Sequence, residues 1–185
     1  MAYRTLQTLV DFDLVAQRAD GVYRAGSRLG SLSTAFVPQL RTVALPVMRT
    51  LADAIRMSVI LFVVENGTAV AVESVEPSTV DHHFTFHKGG RTTLDRGAAA
   101  YALRALDPPR DDDPEPVRLA RERGYGESAS EVEEGAFGVA VAFTGIEPRS
   151  CLLTMSHIKS RADATVPDLV AAATQIAEQL RGQSR

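Results

Sequence analysis

The 185-residue chain carries one dense cluster of imidazoles, "HHFTFH" at 82–87. Histidines of this kind bind zinc when several converge within about 2 Å of one ion. In an extended strand His83 and His87 share a face but stand about 13 Å apart at ~3.3 Å per residue, and His82 points the other way. A metal would need His157 and an acid from another strand, so the spacing favours a polar strand face, with His87 towards the rim of a pocket. Nucleophilic chemistry has equally little to build on. Cys151 is the only cysteine, so neither an internal disulfide nor a cysteine-based zinc site can form, and "CLLTM" is the setting of a buried inert thiol. "GESAS" lacks the Gly-x-Ser-x-Gly elbow, and "KGGR" lacks the spacing and Lys-Ser/Thr ending of a phosphate loop. These absences point away from an enzyme, and no cofactor is expected. What remains is a binding arrangement. The N–H groups opening the helix after "TTLDRG" suit a carboxylate, with Arg91 and Arg96 nearby. Asp95, read as its N-cap, would occupy those donors and favour a neutral ligand instead. Thr154 and Ser156, two apart in a strand, put two hydroxyls on one face.

The elements that must position these groups follow from periodicity. "AYRTLQTLVDF" is amphipathic, with Leu6, Leu9 and Val10 on one face, and Asp20-Gly21 then turns a small hairpin. Leu29, Leu32 and Phe36 open a further helical stretch as an exposed apolar face suited to self-association. That spacing continues through Leu40, Val43, Val47, Leu51 and Ile55, and Pro38 and Pro46 are expected to break it into consecutive helices or bends. "SVILFVV" and "TAVAVESV" flank Asn66-Gly67, a pair that suits a type I′ turn. "HHFTFHKGG" reads as an extended segment, "GAAAYALRAL" as a short helix, and "DPPRDDDPEP" as a solvated loop. A helix ending at Gly124, two apolar strands joined through Pro148, and an amphipathic helix carrying Val166, Leu169, Val170, Ala173, Ile176, Ala177 and Leu180 complete the chain. The order predicts an α+β fold with an antiparallel-rich sheet covered by helices. The net charge of -3 gives no global attraction to nucleic acid. No apolar run approaches the roughly 20 residues of a membrane span, and no secretion signal opens the chain, so a cytoplasmic protein without membrane partners is expected.

Three segments, in this order, resemble IclR-type bacterial transcription regulators. "AYRTLQTLVDFDLVAQRADGVYRAG" is similar to the end of their winged helix-turn-helix, "GGRTTLDRGAAAYALRAL" to the loop and helix at the mouth of the effector pocket, and "RERGYGESASEVEEGAFGVAVAF" with "LLTMSHIKSR" to their C-terminal stretch. The resemblance implies a partial winged helix at 1–26, a linker helix at 27–40 and a GAF-like effector-binding domain at 41–185. It implies that the chain starts inside the recognition helix, through a misassigned start, a truncation or a vestigial arm. Tyr3, Arg4 and Gln7 then read operator DNA if the full winged helix is present. Phe84, Phe86, Asp95, Gly97, Ala98, Ser128, Gly138, Thr154 and Ser156 then surround a small organic, carboxylic effector. Thr154 and Ser156 form the floor, Phe84 or Phe86 the wall, and Gly97 and Ala98 supply backbone N–H groups. A homodimer or homotetramer is the implied assembly. The chain departs from the pattern at Thr93-Leu94-Asp95 in place of Pro-Leu-His and at Ala100 in place of a glycine. Gly138 and Ser128 align with family positions that can carry cysteine and an acid. A stand-alone sensor domain without DNA binding is the rival reading.

Overall fold

The computed structural model describes residues 2–18, 20–28, 37–79, 84 and 86–183. It divides into two compact units, Met1–Leu40 and Arg41–Arg185. His82, His83, Leu29, Leu32, Phe36 and most of the expected linker helix lie outside the described residues.

In the first unit, α1 (Ala2–Asp11) is followed by an antiparallel pair, β1 (Val15–Gln17) and β2 (Tyr23–Ala25). Asp20 and Gly21 lie in the connecting turn, where Gly21 has φ +83° and the Asp20 carboxylate accepts from the Val22 amide. Leu6, Leu9 and Val10 are half-buried, whereas Tyr3, Arg4 and Gln7 are exposed.

Helix α2 (Pro38–Ile55), which belongs to the second unit from Arg41 on, runs unbroken through Pro46. The expected break at Pro46 is therefore corrected. An interior proline costs about 3 kcal/mol. Here Pro46 faces solvent, while Val43, Ala44, Val47, Met48, Leu51 and Ala52 bury one continuous stripe, so packing holds the helix together. Strands β3 (Val59–Glu65) and β4 (Thr68–Val75) pair around a two-residue turn with Asn66 at φ +50° and Gly67 at φ +75°, the positive angles a type I′ turn requires. A register shift in this pair lies at Leu61/Phe62.

Of the segment expected to be extended over 82–90, residues 82, 83 and 85 lie outside the described residues, and its described end departs from a strand. Phe86–Gly90 is irregular: Gly90 donates to the His87 carbonyl in a turn, and Gly89, at φ +83°, bonds back to Ala71. The edge strand β5 (Arg91–Thr93) starts only after that turn. Helices α3 (Ala98–Arg104) and α4 (Glu115–Arg123) follow, then β6 (Gly126–Ala129), β7 (Phe137–Ala142), β8 (Ser150–Ser156), α5 (Lys159–Asp163) and α6 (Val166–Gln183). On α6 the buried face is Leu169, Ala172, Ala173, Ile176, Ala177 and Leu180, with Val170 turned to solvent.

All six long-range strands form one antiparallel sheet in the order β5-β4-β3-β8-β7-β6. Its residues alternate between two buried faces, as the strand period of two demands. Ile60, Phe62, Ala69, Ala71, Ala140, Cys151, Leu153 and Met155 form one face and pack beneath Ala98, Ala99, Ala102 and Leu103 of α3. Helices α5 and α6 lie across β7 and β8, and α6 flanks a groove with α2.

Candidate functional site

Helix α3 is drawn tightly onto the sheet because two glycines let it approach. A Cβ on Gly126 would lie 2.3 Å from the Ala98 carbonyl oxygen, and one on Gly138 would lie 3.3 Å from the Ala98 Cβ. Between α3 and the sheet opens a mostly apolar cleft. Phe62, Phe86, Leu153, Met155 and Val132 supply its apolar walls, and Gly97, Ala98, Ser128 and Gly138 complete the end nearest the helix start. Phe62 and Phe86 meet edge to face with centroids 5.7 Å apart. Counted to its open mouth the cleft holds about 370 Å³, but the centre of a water molecule can reach only about 30 Å³ of it.

The start of α3 differs from the expectation. Asp95 does not cap it: its carboxylate accepts from the Thr93 hydroxyl, which holds its pKa below the ordinary value with help from its own and the Arg96 amide and the Arg96 charge. The N-cap residue is Gly97, at φ +92°, without a side-chain cap of its own. The carboxylate comes instead from Glu131, which accepts from the Gly97 amide at 2.9 Å and from the Tyr101 hydroxyl. Burial, reinforced by that carboxylate, pushes the Tyr101 phenol up to about 12.

Of the residues expected around an effector, Phe86, Gly97, Ala98, Ser128 and Gly138 line the cleft. Thr154 and Ser156 do not. They alternate with Leu153 and Met155, so they lie on the other face of β8, where Thr154 donates to the Ser58 carbonyl at 2.9 Å and Ser156 accepts from the Ile158 amide. Phe84 packs at the margin of the same apolar cluster and against the His157 ring, outside the cleft lining. Arg96, expected near the helix start, lines the cleft, whereas Val132, which also lines it, and Glu131, which holds the helix start beside it, were missed. "SEVEEG" carries no local signal for the role, because the contact of Glu131 with Gly97 spans 34 residues.

Three other groups are structural. Cys151 is completely buried and burial pushes its thiol pKa far up, away from the reactive thiolate. Asp113 accepts from the Arg110 amide and pairs with Arg121 and Arg104, tying the loop before α4 to α3. Glu73, buried on β4, is paired with Arg41 of α2 at 2.9 Å and with Lys88. Among the described residues, no three His, Cys, Asp or Glu side chains come together as metal ligands, and no helix is long and apolar enough to cross a membrane.

A concave, mostly apolar cleft with a few polar groups at one end is the kind of setting in which small-molecule sites are found. The fold, across both units of the chain, is that of IclR-type transcription regulators. The chain superposes on an IclR homolog from Microbacterium hydrocarbonoxydans complexed with 4-hydroxybenzoate with a TM-score of 0.79 at 22% identity, covering 98% of this chain and 85% of that one. A regulator from Alicyclobacillus acidocaldarius gives 0.79 at 18% identity over 95% and 83% of the two chains. The Thermotoga maritima IclR gives 0.72 at 17% over 97% and 84%. At these identities the likeness is one of fold. The chain matches no protein-family model, and no curated protein matches it at a significant level.

Proposed function

We propose that the protein is a ligand-responsive DNA-binding transcription regulator of IclR type, acting as a homodimer or homotetramer on operator DNA. The observation that carries this reading is the apolar cleft under α3, in a chain whose first unit presents a helix with exposed Tyr3, Arg4 and Gln7. Exposed polar groups at the start of a helix followed by a two-stranded wing are what major-groove reading requires, provided other elements fix the angle of the helix.

The effector is a small organic molecule with a compact apolar or aromatic body. Phe62, Phe86, Leu153 and Met155 would hold that body, and the Ser128 hydroxyl offers one hydrogen bond to orient it. A carboxylic effector, which the resemblance implies, reaches the Gly97 amide only by taking the place of Glu131. Its binding would act as a population shift, favouring one arrangement of DNA-reading helices over another.

The test is fluorescence anisotropy with DNA from upstream of the protein's own coding region, run on the wild type and Arg4→Glu, with and without a panel of aromatic acids that includes 4-hydroxybenzoate. Selective binding that Arg4→Glu abolishes and an acid modulates supports the regulator. No selective binding, with heat-stabilisation by an acid retained, assigns a stand-alone sensor instead.

A further inference from the structure

Residues 130–136 form a loop closed on itself. The Ser130 amide donates to the Ala136 carbonyl at 2.7 Å, and the Gly135 amide donates to the Ser130 hydroxyl at 3.1 Å. Both ends of the loop lie in the left-handed region, Ser130 at φ +55° and Gly135 at φ +74°, and for serine that conformation is uncommon. A neck of this kind lets the loop act as a small unit.

The loop meets the start of α3 and the cleft through two consecutive side chains. Glu131 is bonded to the Gly97 amide and the Tyr101 hydroxyl. Val132 lines the cleft, although the residue is 47% exposed, and its Cγ2 sits 2.8 Å from the position a Cβ on Gly97 would take. Glu133 and Glu134 project into solvent. On the far side, the loop meets His157, whose Nδ1 is 3.2 Å from the Gly135 carbonyl. The space open to a water centre in the whole cleft, about 30 Å³, holds a water or two and no aromatic ring.

We propose that Val132 is the plug of the cleft and Glu131 the latch that seats it, so that a ligand enters by swinging the 130–136 loop away from α3. The proposal rests on the cleft being the effector site. It makes Val132 a determinant of the size of ligand admitted and Glu131 a positioning residue. Val132 is half in water already, so moving it exposes little new apolar surface; the resistance to opening resides in the two hydrogen bonds to Glu131.

Phenol serves as the probe because it joins a ring to one hydroxyl. The full chain is labelled with 13C-methyl methionine, and Met155, the methionine that lines the cleft, reports on occupancy. Wild type, Val132→Ala, Val132→Phe and Glu131→Gln are titrated. Expected are at least tenfold tighter phenol binding in Val132→Ala than in wild type and a severalfold loss in Val132→Phe. In Glu131→Gln, hydrogen exchange at the Gly97 amide and the phenol on-rate both rise at least tenfold. A latch of purely structural importance would lower the melting temperature without raising the on-rate, and that result overturns the proposal. So does equal phenol affinity at Met155 in both Val132 variants and wild type, which leaves the cleft as the ligand site but removes the plug. No response of Met155 to phenol in any of the four proteins overturns the cleft as the effector site and the plug with it.

Discussion

Replacing Gly126 by alanine adds a single methyl group, yet it should loosen the helix on which the cleft depends. The new Cβ would stand 2.3 Å from the Ala98 carbonyl oxygen, 2.8 Å from the Ala102 nitrogen and 3.3 Å from the Ala102 Cβ. Carbon contacts are comfortable at about 3.5–4.0 Å, so α3 must retreat by roughly 1 Å. Two of the three clashing atoms are backbone, so no rotamer change relieves them. A gap of that size forfeits between a quarter and a half of the dispersion energy along the interface. The interface includes Ala98, Ala99, Ala102 and Leu103, all buried, and overpacking of such a site costs about 1–3 kcal/mol. For a domain of this length each kcal/mol lowers the melting temperature by about 2–4 °C, giving an expected drop of roughly 2–12 °C. Gly182→Ala is the control. That glycine lies in α6 with nothing within 4 Å of its added Cβ, so alanine there should stabilise slightly through helix propensity. Calorimetry gives the midpoints, and hydrogen exchange identifies which amides open, with those of α3 expected to lose protection first. A Gly126→Ala protein melting within 1 °C of wild type, with α3 protection intact, would show that the approach of α3 to β6 is not the constraint described here.

The remaining predictions concern buried charge and the thiol. Glu73→Gln should cost on the order of 2 kcal/mol, below the usual figure for a broken buried pair because Lys88 remains largely in water. Although burial opposes ionisation, the bonds from Lys88 and Arg41 hold Glu73 below the ordinary glutamate pKa; its stabilisation is therefore present above pH 4.5 and lost as pH falls through the lowered value. Acid titration monitored by circular dichroism should show a shallower loss of stability below that point in Glu73→Gln than in wild type. Asp113→Ala should lower the melting temperature and speed exchange at the Arg110 amide, which donates to that carboxylate at 3.0 Å; unchanged exchange there would refute its role as the tie between loop and helices. Cys151 should resist Ellman's reagent in the folded protein and react at once in denaturant, and rapid labelling of the native chain would contradict its burial.

Much of the scaffold is legible in the sequence, because its determinants are local. Asn66-Gly67 prescribes a two-residue turn by tolerating positive φ at both positions, and the runs on either side pair in the register that turn sets as far as Phe62, beyond which it shifts. The apolar spacing of α6 places Leu169, Ala173, Ile176, Ala177 and Leu180 inward whatever the partner surface is. The break expected at Pro46 shows where local rules stop: a proline on the solvent side of α2 is outweighed by the continuous buried stripe from Val43 to Ala52, which belongs to the tertiary structure.

The cleft was less legible for the same reason. Ser150–Ser156 is buried on both faces, so its alternation separates Leu153 and Met155 from Thr154 and Ser156 without saying which pair meets α3. That choice was made by the packing of α3 over Gly126 and Gly138, two positions where a side chain would hold the helix off. Asp95 has the right type and place for a helix cap, yet the carboxylate at the start of α3 comes from Glu131, 34 residues beyond the Gly97 amide it accepts from. Sequence patterns report which residues share a face; which distant face closes over them is decided by how the whole sheet and its helices pack, where atoms far apart in the chain compete for the same donors and the same space.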